Sequence, residues 1–320
     1  MNATPFSGVF LIAVISAGLM GYAVQRGATC TVAAIGEIVH SGKMKRLTAL
    51  AETALWVAGG ILIARAIGAL PMLPNGFPLS PWAILGGVLL GLGAYLNGAC
   101  LFGAIARFGS GDWLQMFAPL GFYVGLISFV PLFHMGIAHA QPSTAFAPMS
   151  TIAISLAVLF SAYFAWRLWQ IFGAAQHPLP RLHRVWQPHE ATLLIGVAFV
   201  VLLVTFGFWT YTDLLVDISQ HKVRNVGLRI ALFIALFVGA ALGGWTAGRF
   251  KLKAFGVRPL ISSSVGGLLM GWGGALTPGG NDWLILVGMP LLWPYAWVAV
   301  LAMGGTIFAA FKIEQRFKSQ

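Results

Sequence analysis

The chain has 320 residues, of which 58% are hydrophobic and only 8% carry a fixed charge, with 19 Lys or Arg against 8 Asp or Glu. Soluble domains contain about 25% charged residues, so this composition excludes a soluble globular enzyme. The net charge of +11 does not indicate nucleic acid binding, because the basic residues form no stripe interleaved with aromatic side chains.

Long segments without a charged residue set the fold class. Several of them exceed the ~20 residues that one helix needs to cross a bilayer. A spanning segment must be helical or belong to a closed barrel, and continuous apolar runs lack the alternation of barrel strands. The sequence therefore predicts an all-α, polytopic integral membrane protein with about 8 to 10 membrane helices and an internal repeat.

In chain order, the predicted spanning helices cover residues 5–24, 47–70, 82–96, 112–133, 149–172, 191–211, 227–248, 259–276 and 295–311. Three shorter apolar segments, 29–41, 101–107 and 282–290, follow glycine-rich breaks. They are too short to span, which predicts half-helices or re-entrant segments.

Lys and Arg residues predict the orientation, because they gather on the cytoplasmic side of membrane proteins. They cluster in residues 43–46, 167–184, 249–258 and 312–318, which we expect in the cytoplasm together with the C-terminus. The segments 71–81 and 134–148 contain neither residue type and are expected outside.

A hydrophilic, proline-containing stretch at 173–190 predicts a basic cytoplasmic linker between an N-terminal membrane half, 1–172, and a C-terminal membrane half, 191–320. The halves resemble each other, since Gly86–Leu96 and Gly266–Leu276 share six of eleven positions at an offset of 180 residues.

Each copy ends in a break, Asn97-Gly98-Ala99-Cys100 in the first half and Thr277-Pro278-Gly279-Gly280-Asn281 in the second. A further break, Gly27-Ala28-Thr29-Cys30, lies at the start of the segment 29–41. Interrupted helices at corresponding places in two halves are typical of a transporter's binding site.

A helix that begins inside the membrane leaves its first N–H groups unpaired, and their partial positive charge favours an anion. Cys30 and Cys100 stand at two such starts. As thiols they would donate S–H hydrogen bonds to a passing anion; as thiolates they would carry out covalent sulfur chemistry; otherwise they are small buried apolar residues.

The second-half break contains no sulfur, but the hydroxyl of Thr277, the amide of Asn281 and the backbone N–H groups are candidate anion donors. Asp282 opposes an anion, and it is either an N-capping carboxylate beside Trp283 or a proton relay. The seven histidines are scattered, so no metal site is predicted, and no Walker-type ATP motif or other cofactor site is present.

The motifs at 25–31, 97–103, 107–111 and 278–282 resemble those of the YeeE/YedE sulfur-transport family of bacterial inner-membrane proteins. The resemblance implies uptake of thiosulfate or a related sulfur species through an hourglass-shaped helical protein, in which re-entrant helices meet near the bilayer centre. It also implies that Cys30 and Cys100 pass the anion by S–H hydrogen bonds, and that a small soluble sulfur carrier of the TusA type is a partner. Thiosulfate-transporting members carry a third cysteine in the second-half loop, which is absent here.

Together these observations predict a permease, not an enzyme, that conducts a sulfur-containing anion inward across the bacterial inner membrane. One alternative is a membrane-bound sulfurtransferase that forms a persulfide on Cys100 for a soluble acceptor; another is a membrane subunit that scaffolds a partner. The predicted substrate contacts are Cys30, Cys100, Gly27, Thr29, Asn97, Gly98, Thr277, Gly279, Gly280 and Asn281.

Overall fold

A computed structural model of the chain describes residues 8–70, 73–134, 155, 158–166, 169, 186–222 and 225–318. The regular elements of these residues are helices, which confirms the predicted all-α class. The first half contains α1 (Gly8–Arg26), α2 (Thr31–Ser41), α3 (Lys45–Ala66), α4 (Pro81–Asn97), α5 (Leu101–Gly109), a short 3₁₀ turn (Trp113–Met116) and α6 (Phe117–Phe133). The second half contains α7 (Pro188–Thr205), α8 (Tyr211–Ser219), α9 (Val226–Thr246), α10 (Val257–Leu276), α11 (Asn281–Trp283), which continues as a π-helical turn (Leu284–Gly288), and α12 (Pro294–Lys318).

Within the described residues, seven helical segments are long and apolar enough to cross a membrane, or eight if the bent pair α10 and α11 counts as one span. This result confirms a polytopic membrane protein. Most of the predicted helix 149–172 and of the predicted linker 173–190 lies outside the described residues, so the division of the chain at the linker stays a prediction.

One predicted helix boundary is wrong. The helix predicted at 191–211 ends at Thr205, and a separate short helix, α8, begins at Tyr211. Gly207 interrupts the chain with a φ of 111°, a backbone conformation that favours glycine. Thr210 then starts α8, since its side chain accepts a hydrogen bond from the N–H of Asp213.

The two halves repeat the same element order at a constant offset of 180 residues. Cys30 precedes α2 as Thr210 precedes α8, and Cys100 precedes α5 as Gly280 precedes α11. All four residues have extended backbone angles immediately before a helix start. The missed helix α8 is therefore the second-half copy of α2.

Glycines show how the halves meet. A Cβ atom on Gly93 of α4 would lie 2.4 Å from the carbonyl oxygen of Gly266 of α10, and one on Gly86 would lie 2.9 Å from that of Gly273. The early part of α4 thus meets the late part of α10, so the two helices are antiparallel. Because corresponding helices run in opposite directions, the halves form an inverted repeat, and their half-helices approach one centre from opposite sides.

Candidate functional site

The two cysteines of the chain meet at this centre. The Sγ atoms of Cys30 and Cys100 lie 3.6 Å apart, although 70 residues separate them in the sequence. Both are free thiols, with Cys100 fully enclosed and Cys30 8% exposed. The two breaks that the sequence singled out therefore supply one pair of thiols.

One hydrogen bond to the thiols comes from the backbone. The backbone N–H of Thr31, the first residue of α2, donates to Sγ of Cys100 at 3.2 Å. Because the start of α2 carries a partial positive charge, it stabilises electron density on the Cys100 sulfur. The two Sγ atoms lie within hydrogen-bond distance of each other, so one thiol donates to the other and the pair keeps one S–H for a ligand.

Gly103 of α5 makes room for the thiol pair. A Cβ atom at this position would lie 2.4 Å from Sγ of Cys30, which is far inside ordinary contact distance. Sequence analysis did not identify Gly103 as a site residue, because one glycine inside an apolar helix carries no signal of its own.

The second half contributes an amide. The side-chain oxygen of Asn281, the first residue of α11, accepts a hydrogen bond from the N–H of Leu101, the first residue of α5, at 3.1 Å. Asn281 is fully buried, and its Nδ2 has no hydrogen-bond partner among the described residues. A buried donor without a partner is costly, which makes this amide a candidate contact for a ligand.

Two further hydrogen bonds join α8 to the other helix starts. The Tyr211 hydroxyl donates to the carbonyl oxygen of Leu101 at 3.0 Å, and the N–H of Gly280 donates to the Thr212 hydroxyl at 3.3 Å. The starts of α2, α5, α8 and α11 are thus linked in one cluster. Tyr211 and Thr212 were missed as site residues, although the offset of 180 from Cys30 leads to Thr210.

Gly27 and Thr29 shape the first break and do not reach the thiols through a hydrogen bond. A Cβ atom on Gly27 would lie 2.3 Å from Cβ of Ala191, so this residue sets the close approach of α1 and α7. Thr29 is buried, and its N–H bonds back to the carbonyl oxygen of Val24 at 3.1 Å.

Asn97 and Gly98 shape the second break in a similar way. The Asn97 side chain donates to the carbonyl oxygen of Ala99 at 2.8 Å, and the Arg107 guanidinium donates to the carbonyl oxygen of Asn97 at 3.1 Å. Gly98 has a φ of 70°, which ends α4 in a left-handed turn. These residues hold the backbone that places Cys100.

In the third break, Thr277–Asn281, the Thr277 side chain bonds to the backbone of the same segment. The Thr277 hydroxyl lies 3.0 Å from the carbonyl oxygens of both Gly273 and Gly279, so its proton is already donated to the protein. Gly279 has a φ of 134°, a conformation open to glycine. A Cβ atom on Gly280 would lie within 2.8 Å of atoms of Leu101, Thr212 and Asp282, so no side chain fits at this position without movement.

No group of three or more His, Cys, Asp or Glu side chains suited to a metal ion occurs in the described part of the chain.

Comparison with known proteins identifies the family of the chain. A family model described as sulphur transport matches residues 26–309, a range that contains both cysteines and all four half-helices. The chain is also similar to the thiosulfate transporter TsuA of Escherichia coli strain K12. The two are 22% identical over an alignment of 338 positions, which covers 92% of each protein.

Proposed function

This chain belongs to the sulphur transport family, and from that membership we propose that it is a permease for thiosulfate or a related sulfur anion. The pair of thiols at linked helix starts is the observation that carries the proposal. We further propose that the anion moves inward across the bacterial inner membrane, with the basic loops in the cytoplasm, where a soluble TusA-like sulfur carrier would receive it.

The site provides hydrogen-bond donors to an anion, and none of these donors carries a fixed positive charge. The thiol pair keeps one S–H beyond the bond between its two sulfurs, the Nδ2 of Asn281 is free among the described residues, and the helix starts add partial positive charge. A polarisable thiol suits a sulfur-bearing ligand, while amide N–H groups suit its oxygens. Because these donors are uncharged, they stabilise an anion without holding it as firmly as a lysine or arginine would, which favours passage.

The enclosure of Cys100 favours passage over a persulfide. Its sulfur is fully buried between the N–H of Thr31 and the thiol of Cys30, so an added sulfur atom would displace one of these contacts. A persulfide on Cys100 therefore requires the cluster to rearrange around a new covalent atom, whereas a hydrogen bond from a thiol adds no atom to it.

Reconstitution of the purified protein in liposomes tests the proposed function. Sulfur-labelled thiosulfate is expected to enter the vesicles, labelled sulfate is expected to enter more slowly, and the intact mass of the protein is expected to stay unchanged. A mass increase of one sulfur atom on Cys100 without flux would favour the sulfurtransferase instead. Absence of any thiosulfate flux would contradict the permease.

Asn281 offers a nearly isosteric test of the amide. In Asn281→Asp the carboxylate still accepts from the N–H of Leu101, but the free donor is lost and a negative charge is added next to the anion path. A hydrogen bond to a charged group contributes about 1.5–3 kcal/mol, so we expect uptake to fall at least about tenfold. The measurement is thiosulfate uptake normalised to the protein in the membrane, and unchanged uptake would exclude the amide as a contact.

A further inference from the structure

A buried carboxylate lies beside the site and takes no part in the function proposed above. Asp282, the second residue of α11, is 1% exposed and forms no ion pair with any described Lys, Arg or His. The residue before α11 is Gly280, so the expectation that Asp282 is an N-capping carboxylate of its own helix is wrong. An unpaired carboxylate in the membrane interior is costly and is typical of a functional group.

The carboxylate of Asp282 instead occupies the start of α8. It accepts hydrogen bonds from the hydroxyl of Thr212 and, at 3.3 Å, from the backbone N–H of the same residue. Thr212 N–H is one of the N–H groups that a helix start leaves unpaired, so Asp282 acts there as an internal anion. In the first half the corresponding helix start, that of α2, is held by the sulfur of Cys100.

The charges around Asp282 do not compensate it. On α8, Tyr211 and Asp213 interact electrostatically with it, and Asp213 and Asp217 share one cation, Arg229 of α9. The guanidinium of Arg229 is thus already engaged by two carboxyl groups and forms no ion pair with Asp282. Two further titratable groups of the described residues lie near its neighbours: the thiol of Cys100, immediately before α5, interacts with Tyr211, and the phenol of Tyr295 on α12 lies beside Trp283. Neither group is a cation.

Asp282 is close to the proposed anion path. A Cβ atom on Gly280 would lie 2.8 Å from Oδ1 of Asp282 and 2.6 Å from Cδ1 of Leu101, the residue after Cys100. An anion that reaches the thiols therefore adds negative charge beside a carboxylate that no cation balances. A proton on Asp282 removes that repulsion, so anion and proton each strengthen the binding of the other.

We propose that Asp282 is a proton-binding site and that one proton moves inward with each sulfur anion, an inference that rests on the proposed function. A proton from the outer water converts the carboxylate to a carboxylic acid, whose O–H donates to the Thr212 hydroxyl oxygen. The N–H of Thr212 then faces an uncharged carboxyl oxygen, which is a weaker acceptor, and is more readily shared with the substrate. Release of the anion and the proton on the inner side restores the carboxylate and its bonds to Thr212.

The test uses the full-length protein in liposomes whose membrane potential is clamped at zero with valinomycin and equal potassium. With the outer solution one pH unit more acidic, one coupled proton accumulates thiosulfate inside about tenfold, since a factor of ten in concentration equals one pH unit. A pH dye inside the vesicles is expected to report acidification when thiosulfate is added outside. Asp282→Asn is expected to let thiosulfate equilibrate without accumulation or acidification.

Glu314→Gln is the matched control. Glu314 is a carboxylate on α12 that pairs with Lys318 and has a side chain 38% exposed, so this variant should accumulate thiosulfate like the wild type. Accumulation by Asp282→Asn equal to that of the wild type would overturn the proton site. Wild-type thiosulfate flux without acidification would also overturn it, and this measurement does not depend on how the variant folds. That result would leave the proposed function intact, whereas absence of wild-type flux would contradict both.

Discussion

Uptake of thiosulfate by Cys100→Ala is expected to fall about 10- to 100-fold. The substitution removes one of the two S–H groups at the site, which leaves the anion with one donor fewer, and it removes the sulfur that accepts from Thr31. A hydrogen bond to a charged group contributes about 1.5–3 kcal/mol, and each 1.4 kcal/mol is about a factor of ten in rate. The measurement is initial uptake of labelled thiosulfate in cells that lack other routes, normalised to protein in the membrane.

Cys100→Ser separates hydrogen bonding from packing in this experiment. Serine keeps an O–H donor and an acceptor for the N–H of Thr31, so it is expected to retain more uptake than alanine. Cys30→Ser and Cys30→Ala should show the same order. Uptake that stays at the wild-type level in both alanine variants would remove the thiols from the mechanism.

Gly103→Ala is expected to produce a loss of similar size without touching a cysteine. The added methyl group would lie 2.4 Å from Sγ of Cys30, so the thiol must turn away from Cys100. Gly305→Ala on α12 is the matched control, because nothing lies within 4 Å of a Cβ atom at that position. It should transport like the wild type, and uptake by Gly103→Ala equal to that of Gly305→Ala would contradict this prediction.

The double variant Gly103→Ala with Cys30→Ala tests why uptake falls in Gly103→Ala. If the methyl group acts by displacing Sγ of Cys30, then Gly103→Ala has little further effect once Cys30 is already alanine. If Gly103→Ala lowers uptake by the same factor whether residue 30 is cysteine or alanine, then the methyl group acts on the packing of α5 instead.

The two halves share a backbone plan but differ in chemistry. At equivalent positions, Cys30 corresponds to Thr210 and Cys100 to Gly280. The first half thus supplies thiols, while the second supplies the amide of Asn281 and the carboxylate of Asp282. The two halves therefore present different chemical groups to the shared centre.

Local sequence signals located the part of the site that depends on backbone breaks. Glycine-rich interruptions predicted half-helices after Cys30 and Cys100, and α2 and α5 begin at the next residue in each case. The helix α8 was missed because Asp213 and Asp217 interrupt the apolar run on which the predicted helices rest. In the structure both carboxylates pair with Arg229, a contact that only the packing of α8 against α9 creates.

The contacts between distant segments lie beyond local reasoning. The distance between the thiols, the bond from Leu101 to Asn281 and the bond from Thr212 to Asp282 join residues 70 or more positions apart. Of these three, the bond from Leu101 to Asn281 joins the two halves, which also meet where α4 and α10 cross antiparallel. The hydroxyl of Thr277, a candidate donor by sequence, is bonded to its own backbone, which a list of polar residues does not reveal.

Diffraction from crystals soaked in thiosulfate, recorded at a wavelength where sulfur scatters anomalously, tests the central claim most directly. We expect a pair of additional sulfur peaks in contact with Sγ of Cys30 and near Nδ2 of Asn281, and none in crystals soaked in chloride. Thiosulfate peaks confined to other parts of the molecule, with no anion density beside the two thiols, would contradict the account.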